Sequence, residues 1–140
     1  MIGIIVAAHG KLAEALVEAA LLVVPEARRV RSVEITTRDD SHGFEERLRG
    51  AIDSFKPGGV LLLTDMFGGT PSNIGLMLHQ PGQVEVLTGA NLPMLIRALQ
   101  LTLKEVNLSA AAHEVKEYGA RAISVASEVL GGAHGTEKRA

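Results

Sequence analysis

Ile2-Gly3-Ile4-Ile5-Val6-Ala7-Ala8-His9-Gly10, running on into Leu12 to Val24, decides how this chain is read. The residues before His9 are apolar and rich in β-branched side chains, the pattern of a strand covered on both faces. From Leu12 the period becomes helical. Leu12, Leu16, Ala19 and Val23 share one face, and Glu14 and Glu18 lie opposite. Leu21 and Val24 widen the apolar surface, so this helix is expected to be buried on two sides, the second by another subunit. Pro25 ends it. A doubly covered strand feeding a helix is the opening unit of an α/β layered fold with a mainly parallel sheet.

The rest of the chain repeats that alternation. Val30 to Ile35 reads as a second strand, and Thr36 to Gly43 as a polar loop. Phe44, Leu48, Ile52 and Phe55 mark a helix closed by Pro57-Gly58-Gly59. Val60-Leu61-Leu62-Leu63-Thr64 is a third strand, followed by Asp65-Met66-Phe67-Gly68-Gly69-Thr70-Pro71-Ser72-Asn73 with a short helix starting near Pro71. Val84 to Thr88 is a fourth strand, leading into Gly89-Ala90-Asn91-Leu92-Pro93. Helices are expected over Met94 to Leu103 and Leu108 to Tyr118, and a last strand over Ala122 to Val125. Residues 1–130 form one domain, and 131–140 a flexible tail.

Composition narrows the classes of function. Of 140 residues, 46% are hydrophobic and only 3% aromatic, so Val, Leu, Ile and Ala must build the core. The net charge of −2 gives no electrostatic reason to expect nucleic acid. Without cysteine there is neither a disulfide framework nor a thiolate metal site. No basic residue precedes the first apolar run, and Lys11, Glu14 and Glu18 interrupt it. Neither a signal peptide nor a membrane span is expected, and a cytoplasmic location is.

Three loops after strands carry the chemistry. His9 ends the first. Neutral imidazole is a good nucleophile near neutral pH, although a loop histidine is more often bonded to nearby backbone. Asp65 opens the second. A carboxylate accepting from one imidazole nitrogen fixes the tautomer and aims the other nitrogen's lone pair. Such an aspartate also binds backbone amides in many loops. Gly68-Gly69-Thr70-Pro71-Ser72 follows. Two glycines allow close backbone approach, Thr70 is suited to cap a helix that Pro71 begins, and the amides there form an anion site. An ordinary glycine-rich turn explains these residues equally well when they are taken alone. The stretch is neither a P-loop nor a dinucleotide fingerprint. Asn91 is expected to shape the third loop. His42, His79, His113 and His134 read as surface residues without zinc spacing. If the first and third strands are neighbours, His9 and Asp65 meet at one edge of the sheet, where ligands of such folds gather.

Read together, Ile4 to Gly10, Thr64 to Asn73 and Gly89 to Leu95 resemble the IIA component of the mannose family of the bacterial sugar phosphotransferase system (PTS), over Met1 to about Val125. That resemblance implies a parallel four-stranded sheet with helices on both faces, plus a C-terminal antiparallel strand exchanged in a homodimer. It implies a protein-histidine phosphotransferase. His9 would take phosphate from phospho-HPr and pass it to a separate IIB component, with Asp65 as the orienting residue and Gly68, Gly69, Thr70, Pro71 and Ser72 as the phosphate loop. No metal and no cofactor are implied. Ala8 and Phe67 depart from members with a hydroxyl residue and a tryptophan at those places. The His9-Gly10 pair and the Gly-Gly-Thr-Pro loop disfavour the related domain that serves dihydroxyacetone kinase. Two other readings stand beside this one: a regulatory module whose phosphorylation state controls a partner without sugar transport, and an unrelated small-molecule enzyme that binds phosphate on the glycine loop.

Overall fold

The computed structural model describes residues 1–36, 38, 40–66 and 68–131. Four strands, β1 (Gly3–His9), β2 (Val30–Ile35), β3 (Val60–Thr64) and β4 (Val84–Leu87), form one sheet in the order β2-β1-β3-β4. All three pairings are parallel. Ile4 lies opposite Val30 on one side and Leu61 on the other, and Val60 lies opposite Val84. The helices are α1 (Leu12–Val23), α2 (Ser41–Asp53), α3 (Thr70–Leu78), α4 (Leu92–Leu101) and α5 (Leu108–Arg121). The expected parallel four-stranded sheet with helices on both faces is therefore present.

Side-chain alternation sorts the helices between the faces. Ile4, Val6, Ala8, Leu61 and Leu63 pack with residues of α1, α4 and α5, among them Ala20, Leu95, Leu99 and Val115. Ile5, Ala7, Val33 and Leu62 pack with Phe44, Leu48, Ile52 and Ile74 of α2 and α3. Both central strands are buried on both faces, which is why they read as unbroken apolar runs.

Three local expectations need correction. On α1 the buried residues are Ala13 and Ala20, with Leu16, Val17 and Leu21 half-buried against the core, while Leu12 is 44% and Val23 58% exposed. The contact face is rotated by one position because the small alanines let the helix settle close to the sheet, leaving Leu12, Leu22 and Val23 outside. The loop after β2 is shorter than expected. Asp40 accepts from the Gly43 amide at 2.7 Å, and this cap starts α2 at Ser41. No strand forms over Ala122 to Val125: Ala122 closes α5 through its amide to Gly119 O, and residues 126–131 turn helical. A strand needs a partner edge, and among the described residues this segment pairs with none; Ile123 and Val125 are left exposed. Of the expected tail, all but Gly131 lies outside the described residues.

The chain leaves β1 for β2 on one side and returns for β3 on the other. The switch point of the topology thus lies between the carboxyl ends of β1 and β3.

Candidate functional site

His9 is the last residue of β1, and Gly10 turns the chain out of the sheet at φ +58°. Asp65 follows the last residue of β3, the neighbouring strand. Its Oδ2 accepts twice from His9, from the main-chain amide at 3.0 Å and from ring Nδ1 at 2.7 Å. An ionised carboxylate only accepts, so Nδ1 carries the ring proton and Nε2 presents a lone pair; the tautomer is assigned from this network. The His9 side chain is 52% exposed, whereas Asp65 is only 10% exposed. The imidazole is open to solvent while the carboxylate that holds it is sheltered.

The electrostatics follow from this geometry. Burial alone would raise the Asp65 pKa. The His9 amide, the His9 ring hydrogen bond and the charge of a protonated ring outweigh it, holding the carboxyl below its ordinary value of 3.8. Asp65 is a carboxylate throughout the neutral range.

The glycine loop lies against the same ring. A Cβ added to Gly69 would stand 3.1 Å from His9 Cε1 and 3.8 Å from Nε2. Any side chain there would crowd the exposed edge of the imidazole. Gly68, at φ +89°, makes the turn that brings this backbone in. Gly69, not Thr70, is the helix cap; it has no side-chain cap bond, and Thr70 and Pro71 are the first helical residues. The first backbone bond of the helix runs from the Asn73 amide to Gly69 O. The Thr70 and Ser72 amides precede it and carry the positive end of the helix dipole. Pro71 has no N–H to offer, and the Ser72 side chain is fully buried. Gly68, Gly69 and Thr70 therefore form the accessible rim, and Pro71 and Ser72 lie beneath it.

Asn91 caps α4, accepting from the Met94 amide at 2.9 Å, and its amide group donates to Gly119 O at 3.4 Å. It shapes the third loop, which is tied to the site by the Ala90 amide bonding Thr64 O. The other described histidines stay apart. His42 faces Glu46, His79 faces Glu85 and His113 faces the Ser109 carbonyl. His134 lies outside the described residues. No group of three potential metal ligands occurs among the described residues. A cavity of about 240 Å³ opens at the opposite end of the sheet, but its Lys56 is paired with Asp53 and its Arg49 with Glu45. Thr64, buried beside the site, is given no role by the sequence alone. Its signal was a hydroxyl at the end of an otherwise aliphatic strand.

A carboxylate-held histidine at the switch point of a parallel sheet, beside the start of a helix, defines a class: α/β proteins with an exposed, oriented imidazole next to a glycine loop at a helix N-terminus. Comparison with known proteins gives the family. The model described as the PTS system fructose IIA component matches residues 3–116, and the chain belongs to that family. It is 27% identical over 132 residues to the fructose-specific EIIA component of Bacillus subtilis strain 168, covering 93% of this chain and 90% of that one. The sorbose-specific EIIA component of Lacticaseibacillus casei is 28% identical over 94 residues, covering 66% and 68%. Among solved structures, EIIA from Streptococcus agalactiae superimposes with a TM-score of 0.82 at 26% identity, covering 91% of this chain and 98% of that one. The mannose/sorbose-specific IIA subunit from Enterococcus faecalis gives 0.79 at 28% identity, covering 88% and 92%. Among the described residues, no helix is long and apolar enough to cross a membrane.

Proposed function

We propose that this protein is a phosphohistidine carrier of the sugar phosphotransferase system, charged on His9 Nε2 by phospho-HPr and discharged to a IIB component. The observation that carries this reading is the 2.7 Å contact between His9 Nδ1 and Asp65 Oδ2 behind a half-exposed ring. The Nε2 lone pair attacks the phosphorus of the donor's phosphohistidine. As the new N–P bond forms, the donor's N–P bond breaks and its electron pair returns to the donor ring. The proton on Nδ1 stays in place, and the Asp65 carboxylate balances the positive charge that the His9 ring acquires. Oxygens of the transferred group lie beside Gly69 and Thr70, where the amides at the start of α3 and the Thr70 hydroxyl stabilise them. Discharge is the same sequence in reverse, toward a histidine of the IIB partner.

The openness of the site favours a protein donor over a small substrate, because small ligands are enclosed by their pockets. As in the family, the working form is taken to be a homodimer. The exposed residues 122–125 of one copy would pair with the outer edge of β4 in the other.

Incubation with enzyme I, HPr and phosphoenolpyruvate, followed by mass spectrometry of acid-labile phosphate, tests the assignment. The expected result is one phosphate on His9. Label on another residue, or none, rejects it.

A further inference from the structure

The first turn of α3 hides polar atoms that the proposed reaction does not use. Thr64 and Ser72 are fully buried, yet Thr64 Oγ1, Ser72 Oγ and Asp65 Oδ1 have no hydrogen-bond partner among the described residues. Glu34 Oε2 also lacks a hydrogen bond, but it has the Lys11 ammonium 3.3 Å away as an ion-pair partner, and the buried Thr102 hydroxyl donates to Leu99 O at 2.6 Å. Buried hydroxyls and carboxylate oxygens without partners are unfavourable, so these three atoms of Thr64, Ser72 and Asp65 call for one.

Packing brings the residues that carry these atoms to the same end of β3. A Cβ built on Gly75 would lie 3.0 Å from Leu62 Cδ2 and 3.8 Å from Thr64 Cγ2, so α3 rests directly on those side chains of β3. Ser72 is one turn earlier on the same face of the helix. That places it over the end of β3, where Thr64 gives way to Asp65. The other carboxylate oxygen of Asp65 is the one that holds His9.

We infer that Thr64 and Ser72 are positioning residues that, with Asp65 Oδ1, hold one buried water, and that this water locks the carboxylate that aims His9. The donors and acceptors match. The water donates to Asp65 Oδ1 and to one hydroxyl oxygen, and it accepts from the other hydroxyl, giving the three bonds usual for an internal water. The first turn of α3, which forms the phosphate rim, is thereby coupled to the orientation of the imidazole. Only the rate measurement below rests on the proposed function; the spectroscopic one does not.

The test uses the full chain with ¹⁵N-labelled histidine, in alkaline buffer where imidazole is neutral. Wild type is expected to show His9 with its proton on Nδ1. Thr64→Val and Ser72→Ala are each expected to mix the two tautomers and to slow labelling by phospho-HPr about tenfold, the scale for outer partners that orient a reactive group. Because one water serves both, the double variant should be no slower than the slower single variant. Thr64→Ser, which keeps the hydroxyl but loses a methyl, should restore the tautomer and the rate. If Ser72→Ala does not fold, the Thr64→Val and Thr64→Ser pair decides alone. Wild-type tautomer populations in Thr64→Val, a Thr64→Ser protein worse than Thr64→Val, or additive losses in the double variant would each overturn the inference. Failure of wild type to accept phosphate would reject the proposed function and leave the tautomer test standing.

Discussion

The two ends of one sheet are built on opposite terms. At the amino end, the Phe55 ring lies over Gly3, where an added Cβ would come within 2.4 Å of it. The Arg29 and Arg31 guanidinium groups flank the ring at 5.2 and 5.3 Å, and Arg29 donates to the carbonyls of Ile2, Met1 and Phe55. At the carboxyl end a half-exposed imidazole stands beside a glycine loop, near buried oxygens that lack hydrogen-bond partners among the described residues. One end closes the core and satisfies its polar groups. The other exposes an imidazole edge and the start of a helix, the groups on which the proposed function rests. Stability and the proposed chemistry are weighted toward opposite ends of a strand, so substitutions at either end should act mainly on one.

The sharpest way to break that separation is His9→Ala. It should remove labelling completely while leaving the thermal unfolding midpoint near wild type, as activity assay and calorimetry would show; residual label would mean that the carboxyl end is not the reactive one. Phe55→Ala should act in reverse. It is expected to lower unfolding stability by about 3–5 kcal/mol, read by urea titration, while the labelling rate per folded molecule holds. Asp65→Ala should fold and slow transfer on the order of a hundredfold, the range of positioned acid–base groups. An unchanged rate in stopped-flow mixing with phospho-HPr would remove Asp65 from the mechanism. The smallest effect concerns pH. The folded pKa of Asp65 lies below 3.8, so the stabilisation from its bonds to His9 is fully present above that value. It is lost as pH falls through the lower, folded pKa. Acid titration of Asp65→Ala should therefore lack this part of the wild-type loss; identical acid profiles would contradict it.

Much of this was legible in the residues. Val60 to Leu63 and Ile4 to Ala8 could only be doubly covered strands, and the motif loops after them located the site before strand order was known. What escaped depended on spatial relations that periodicity does not encode. Apolarity points to the wrong face of α1: Leu12 and Val23 are more apolar than Ala13 and Ala20, yet closeness of approach favours the alanines. The cap of α3 fell on Gly69, although Thr70 has the better capping side chain, because the backbone is already extended at the glycine. Thr64 looked like an ordinary strand end, and only its contact with α3 sets it beside Ser72. The strand expected over Ala122 to Val125 depends on a partner edge, and among the described residues it pairs with none.

One oxygen of Asp65 grips both the main chain and the ring of the same residue, at the very end of a strand. Such a side chain cannot swing like the lipoyl or biotinyl arms that ferry groups between distant stations. Under the proposed function, donor and acceptor proteins would instead visit a fixed spot in turn, each leaving before the other arrives. Steady-state kinetics of the complete relay should therefore show double-displacement behaviour, with excess uncharged donor competing against the acceptor.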